Sequence, residues 1–69
     1  MENIANYVKN ERKKIGWTQE RFAMYAGVST KFLIELEGGK KTLRMDKVLA
    51  VLRLLDASLV VKEIEDEKR

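Results

Sequence analysis

Gly16 is followed two residues later by Thr18, and Gly27 two residues later by Ser29. Each glycine is a natural helix stop, because it takes a left-handed backbone conformation cheaply. Each hydroxyl is a natural helix start, because its oxygen accepts a bond from a first-turn N–H that has no partner inside the helix. Gly38-Gly39 adds a third stop, and the chain has no proline to kink a longer helix. Punctuation this dense rules out long bundle helices before Lys40. It predicts short helices folded around one shared core.

The apolar periodicity agrees. The first segment runs from about Asn3 to Lys14, with Ile4, Val8 and Ile15 at helical spacing and Tyr7 beside them. Lys13 and Lys14 fall in its last turn, where cations favour the helix dipole. Thr18 opens a second helix with Gln19 and Glu20 in the first turn and a stripe of Phe22, Ala23 and Ala26. Ser29 opens a third, Thr30 to Glu37, anchored by Leu33 and Leu36, with Val28 placed ahead of the cap as a hydrophobic staple. A fourth covers Met45 to Leu55, and Met45, Val48, Leu49, Leu52 and Leu55 make one continuous face. Val51 and Leu54 lie off that face and are expected to meet a partner.

The texture changes in SLVVKEI. Val60, Val61 and Ile64 are β-branched, which favours a strand over residues 57–64. Their spacing also fits a helix, and the strand is preferred on propensity. A lone strand needs an edge for its backbone groups, and in a helical chain the nearest edge belongs to a second copy. Leu59, Val60, Val61 and Ile64 are therefore expected to join Val51 and Leu54 as dimerisation residues. The expected organisation is a domain over residues 1–56, a dimerisation strand over 57–64 and a charged tail over 65–69.

Composition narrows the function classes. At 69 residues the chain is one domain with a small core, so association with another copy helps its stability. It has neither Cys nor His. That removes disulfides, thiolate metal sites, the commonest metal ligand and the commonest general base. The carboxylates form no convergent nucleophile–base pair, so no enzyme, no metal site and no cofactor is expected. The net charge is +3, and the tail from Glu63 to Arg69 holds four acids against two bases, so the preceding body is more basic than the whole. Such a body permits a polyanionic partner. No run approaches the roughly 20 apolar residues of a membrane span, and MENIANYVKN lacks the layout of a signal peptide. A cytoplasmic protein without a membrane partner is expected.

Two short helices joined by Ala26-Gly27-Val28-Ser29 have the spacing of a helix-turn-helix, and small Ala23 lets them approach closely. The run WTQERFAMYAGVSTKFLIELEGGK (17–40) resembles the phage-repressor-like (Cro-type, or XRE) helix-turn-helix family, and the resemblance extends over residues 4–55. The following stretch, KTLRMDKVLAVLRLLDASLVV (41–61), resembles a narrower group, the HipB-like antitoxins that partner HipA-type serine/threonine kinase toxins. The resemblance implies an all-α, lambda-repressor-like domain of about four short helices plus a C-terminal β-strand pairing across a homodimer. It also implies a pseudo-palindromic double-stranded operator, repression of the protein's own operon and a HipA-like kinase as partner. A stand-alone phage-type or restriction-system regulator without a toxin shares the pattern through residue 55.

The same resemblance assigns residues. Thr18 and Gln19 stand at the start of the second helix, where Gln19 braces the DNA backbone beside a helix N-terminus suited to phosphate. Ser29 serves as cap and phosphate donor, and Thr30 and Lys31 enter the major groove, Lys31 being suited to guanine O6/N7. Phe32 has two readings, contact with a thymine methyl or packing back onto the second helix. Glu35 also has two: acceptance of a bond from cytosine N4, or an i,i+4 pair that orients Lys31. Lys40, Lys41 and Arg44 form a basic loop expected to contact flanking phosphates. Arg12 and Glu37 match a buried ion pair tying the first helix to the third. Two positions depart from the family pattern: Gly38 replaces an arginine or asparagine, and Asp56 replaces a glycine after the fourth helix.

Overall fold

A computed structural model describes residues 3–67 of the chain, and side chains from residue 3 to residue 56. Its helices are α1 (Ile4–Ile15), α2 (Gln19–Ala26), α3 (Thr30–Glu37) and α4 (Met45–Glu67). The first three start on a capping side chain. Asn6 N–H donates to Asn3 Oδ1 at 2.9 Å, Arg21 N–H to Thr18 Oγ1 at 3.1 Å, and Phe32 N–H to Ser29 Oγ at 3.0 Å. Loss of such a cap typically costs about 1 kcal/mol.

Gly27 ends α2 with φ of 77°. Its N–H donates to Met24 C=O, while Val28 N–H reaches back to Ala23 C=O at 3.0 Å. This closure redirects the chain, so that Ser29 starts α3 two residues later. At the end of α3 the left-handed residue is Gly39, φ 86°, whereas Gly38 stays right-handed at φ −81°. Lys40 N–H then donates to Glu35 C=O at 3.0 Å, which sets Lys40 against the last turn of α3.

The core is one cluster: Val8 from α1, Phe22 and Ala23 from α2, Phe32, Leu33 and Leu36 from α3, and Val48, Val51 and Leu55 from α4. Each large side chain buried this way contributes about 1.5–3 kcal/mol. Both α3 and α4 pack against α1 and α2, so α3 is supported from behind and keeps its other side open. In α1 the inward positions are Ala5, Val8 and Arg12, and Ile4 and Tyr7 lie largely exposed.

Four expectations for the C-terminal part are corrected. The buried face of α4 is Val48, Val51 and Leu55, with Leu52 and Leu54 packed partly against the core, whereas Met45 and Leu49 are exposed. Val51 is fully buried and so cannot serve a partner surface, and Leu54 is half-buried. Residues 48, 51, 52 and 55 satisfy the same i, i+3, i+4, i+7 rule as the expected stripe, and contact with α1 and α2 selects between the two. The expected strand over 57–64 is helix, and no strand occurs among the described residues. A helix bonds its own N–H and C=O groups, while four helices offer a strand no edge to pair with. Asp56, where the family resemblance implies a glycine turn, lies within α4, which runs on to Glu67. The side chains of Leu59, Val60, Val61 and Ile64 and the end of the 65–69 tail lie outside the described residues.

Candidate nucleic-acid interface

The side of α3 away from the core carries Thr30, Lys31, Ile34 and Glu35. Helical geometry puts these on one face because Phe32, Leu33 and Leu36 claim the other. Lys31 is exposed and Thr30 half-exposed, directly after the Ser29 cap. This side of α3 therefore offers unpartnered first-turn N–H groups, an ammonium group and side chains of both polarities. Such a helix, packed on one side and open on the other, fits a DNA major groove.

A side-chain clamp fixes its position. Arg12 Nε and Nη2 donate to Glu37 Oε2 and Oε1 at 2.7 and 3.0 Å, and Arg12 Nη1 donates to the carbonyl of Trp17 at 2.8 Å. Gln19 Nε2 donates to the same Glu37 Oε1 at 3.1 Å. One carboxylate at the end of α3 thus gathers α1, the start of α2 and the intervening loop. The two-bond fork is geometrically specific as well as strong. The hydrogen bonds from Arg12 to Glu37 raise the guanidinium pKa above its ordinary value, against the opposing effect of burial. Among the described residues no buried side-chain nitrogen or oxygen lacks a partner.

Gln19 therefore has a partner within the protein in addition to its place at the α2 N-terminus. Its second amide hydrogen and its carbonyl oxygen remain for another contact. Thr18 and Ser29 accept cap bonds, and each hydroxyl still has a proton to donate. Phe32 packs back into the core at 7 % exposure, with Lys47 Nζ 5.9 Å from its ring centre. That settles its two readings in favour of packing and removes it from the contact face, because α3 needs three large anchors to bury so short a helix.

Glu35 is paired, but with Lys40 and not Lys31. Lys40 Nζ lies 2.9 Å from Glu35 Oε2. The hydrogen bond from Lys40 lowers the Glu35 pKa despite partial desolvation, and the charges of Lys40 and then Lys31 lower it further. The tight turn at Gly39 explains the partner, since it returns the chain over the last turn of α3. In the basic loop Arg44 forks onto Asp46 through Nε and Nη2 at 3.2 and 2.9 Å, and Lys41 is exposed. Two of the three cations expected at phosphate are thus held by acids of the same chain.

Sequence reasoning missed two features here. Ile34 is 50 % exposed on the open side of α3, and its place could have been read from the inward assignment of Leu33 and Leu36. Trp17 stacks on Tyr25 at 4.8 Å, with Arg21 5.3 Å from the Trp17 ring centre. The spacing 17, 21, 25 is a helical ridge that begins one residue before the cap, which hid it from a segment-by-segment reading. No group of three or more Cys, His, Asp or Glu side chains converges among the described residues, and no helix there is long and apolar enough to cross a membrane.

The family model described as helix-turn-helix matches residues 8–61. Over 57 residues the chain is 39 % identical to a protein of Sinorhizobium fredii named "uncharacterized HTH-type transcriptional regulator y4mF", an alignment covering 83 % of this chain and 75 % of that protein. The family match contains the clamp, the Gly27 turn and all of α3. Sequence and geometry converge on one statement: the chain belongs to the helix-turn-helix family.

Proposed function

We propose that this protein is a sequence-specific DNA-binding transcriptional repressor that acts as a homodimer on a pseudo-palindromic operator of its own operon. The observation that carries the reading is the division of α3, with Phe32, Leu33 and Leu36 inward, Thr30, Lys31 and Ile34 outward, and Glu37 clamped to Arg12. In the dimer two α3 helices lie about one DNA turn apart, roughly 34 Å, or a multiple of that. Thr18, Gln19, Ser29, Lys40, Lys41 and Arg44 supply phosphate contacts and hence affinity, while Thr30 and Lys31 supply base discrimination. Its place of work is the cytoplasm, on the chromosome.

The dimer uses the C-terminal part of the chain, with residues 57–64 as the dimerisation element. These residues continue α4 beyond Leu55, the last core residue of that helix among the described side chains. The likeness of residues 41–61 to HipB-like antitoxins supports a further role, neutralising a HipA-like serine/threonine kinase. An exposed apolar surface is available for such a partner: Leu49 is 43 % exposed, and with Tyr7, Leu52, Arg53 and Asp56 it lines an open groove of about 350 Å³. A stand-alone regulator is the alternative, and the neighbouring gene decides between them. A kinase-like reading frame beside this one supports the antitoxin role, and its absence removes it.

The central experiment selects duplexes from a random-sequence library with the full-length protein, then measures binding to the selected operator. Lys31→Ala is expected to lose about 1–3 kcal/mol of discrimination at one base pair per half-site while still binding mixed-sequence DNA. Unchanged discrimination overturns the assignment of Lys31. Sedimentation of the full chain and of a 1–57 truncation tests the dimer: the expected result is a dimer that becomes a monomer, and an unaltered dimer removes residues 58–64 from the interface.

A further inference from the structure

Ile34 is the one large apolar side chain on the open face of α3. At 50 % exposure, it stands roughly 60° around the helix axis from Lys31 and about one turn along. It also follows Thr30 at i+4, so the two share a ridge. Single exposed aliphatic residues need no explanation on an ordinary surface. On a face that docks against DNA the situation differs, because charged phosphates and the polar edges of the bases give an isoleucine little to pack on. The major groove offers one apolar group, the 5-methyl of thymine. A β-branched side chain is stiff at χ1, so Ile34 holds its carbons in a fixed direction and loses little freedom on contact. The aromatic alternative on the same helix, Phe32, is buried in the core.

We propose that Ile34 is a specificity determinant that packs on the 5-methyl group of a thymine in each operator half-site, within two base pairs of the base met by Lys31. The proposal rests on the DNA-binding reading above and adds the identity of one base that α3 selects. It assigns the two ends of the face different work: Lys31 reads hydrogen-bond acceptors, and Ile34 reads shape and apolarity.

The probe is the duplex selected from the random library, resynthesised with deoxyuridine in place of each thymine in turn, which deletes the methyl group alone. Wild type is expected to bind about fourfold more weakly when the thymine of one half-site is so replaced, the value for one buried methyl. Replacement in both halves should give about fifteenfold for the dimer. Ile34→Ala is well tolerated by the helix, since alanine is the better helix former at an exposed position. It should lose a similar factor on the thymine operator and then bind the thymine and deoxyuridine duplexes equally. Ile34→Val should keep most of the discrimination.

Two results overturn the proposal: wild type indifferent to deoxyuridine at every position, or an Ile34→Ala protein that still prefers thymine. Failure of the underlying reading looks different. In that case the library yields no preferred sequence at all, and the proposal falls with it.

Discussion

The three helices before Lys40 and the helix after Arg44 are specified in different ways. The first three each begin on a side-chain cap, end on a glycine or its neighbour, and show a clear split between apolar and polar positions. From Met45 to Leu55, α4 reads MDKVLAVLRLL, apolar on several sides. Its first turn is closed by backbone, with Val48 N–H donating to Arg44 C=O. Where polar residues occupy one side of a helix, local sequence fixes which side is buried. Where they do not, neighbouring helices choose, and the unused apolar positions remain available to a partner.

The clamp gives the largest way to break this contrast. Glu37→Ala leaves the Arg12 guanidinium buried without its carboxylate and deprives Gln19 of its acceptor. Loss of one member of a buried pair commonly costs about 3–5 kcal/mol. That is a large share of what a domain of this size has. Urea unfolding followed by circular dichroism measures it, and a loss below about 1 kcal/mol would show that α3 is held by its apolar anchors alone. Arg12 stays ionised throughout the accessible pH range.

The phase of α4 gives the next. Val51→Ala removes carbon from a site with no exposure and is expected to cost about 2 kcal/mol. Leu49→Ala trims a side chain that is 43 % exposed and is expected to cost about 0.5 kcal/mol or less in the monomer. The stripe expected from the sequence reverses this order, so thermal melts of the two variants decide directly between the two phases. If Leu49→Ala also weakens self-association, its exposure has a use.

Much of the fold and part of the site were legible for the same reason. Thr18, Ser29 and Gly27 declare themselves because their chemistry is local: a hydroxyl beside orphan N–H groups, and a residue without a Cβ at a left-handed position. Arg12–Glu37 was reached through family resemblance and stands in the structure at 2.7 Å. The features that escaped are those set by tertiary geometry. The partner of Glu35 depends on how Gly39 turns the chain back, which i,i+4 spacing cannot reveal. Val51 depends on where α1 and α2 lie. The strand expected at 57–64 rested on β-branched propensity, the weaker kind of prior because context routinely overrides it.

Glu35 provides the finest test, because its two roles predict opposite changes. In the free protein its carboxylate holds Lys40 and adds negative charge to the face proposed above to meet DNA. If this is its role, Glu35→Gln frees Lys40 and binding to every duplex tightens by a similar small factor. The salt slope should then steepen by about one counterion per chain. Lys40→Ala should cost more affinity in the Glu35→Gln background than in wild type, a coupling that a double-mutant cycle isolates. Acid should mimic the substitution. The Glu35 pKa is lowered from an ordinary 4.5, so the pair is fully present above that value and is lost as pH falls through the lower folded one. Wild-type affinity should therefore rise in that window relative to Glu35→Gln, which has nothing to titrate at this position. If Glu35 instead accepts a bond from cytosine N4, the substitution leaves mixed-sequence DNA almost unaffected and weakens the operator at one C·G pair per half-site. Uniform tightening assigns Glu35 to restraining the basic loop, and a loss confined to one base pair assigns it to reading that base.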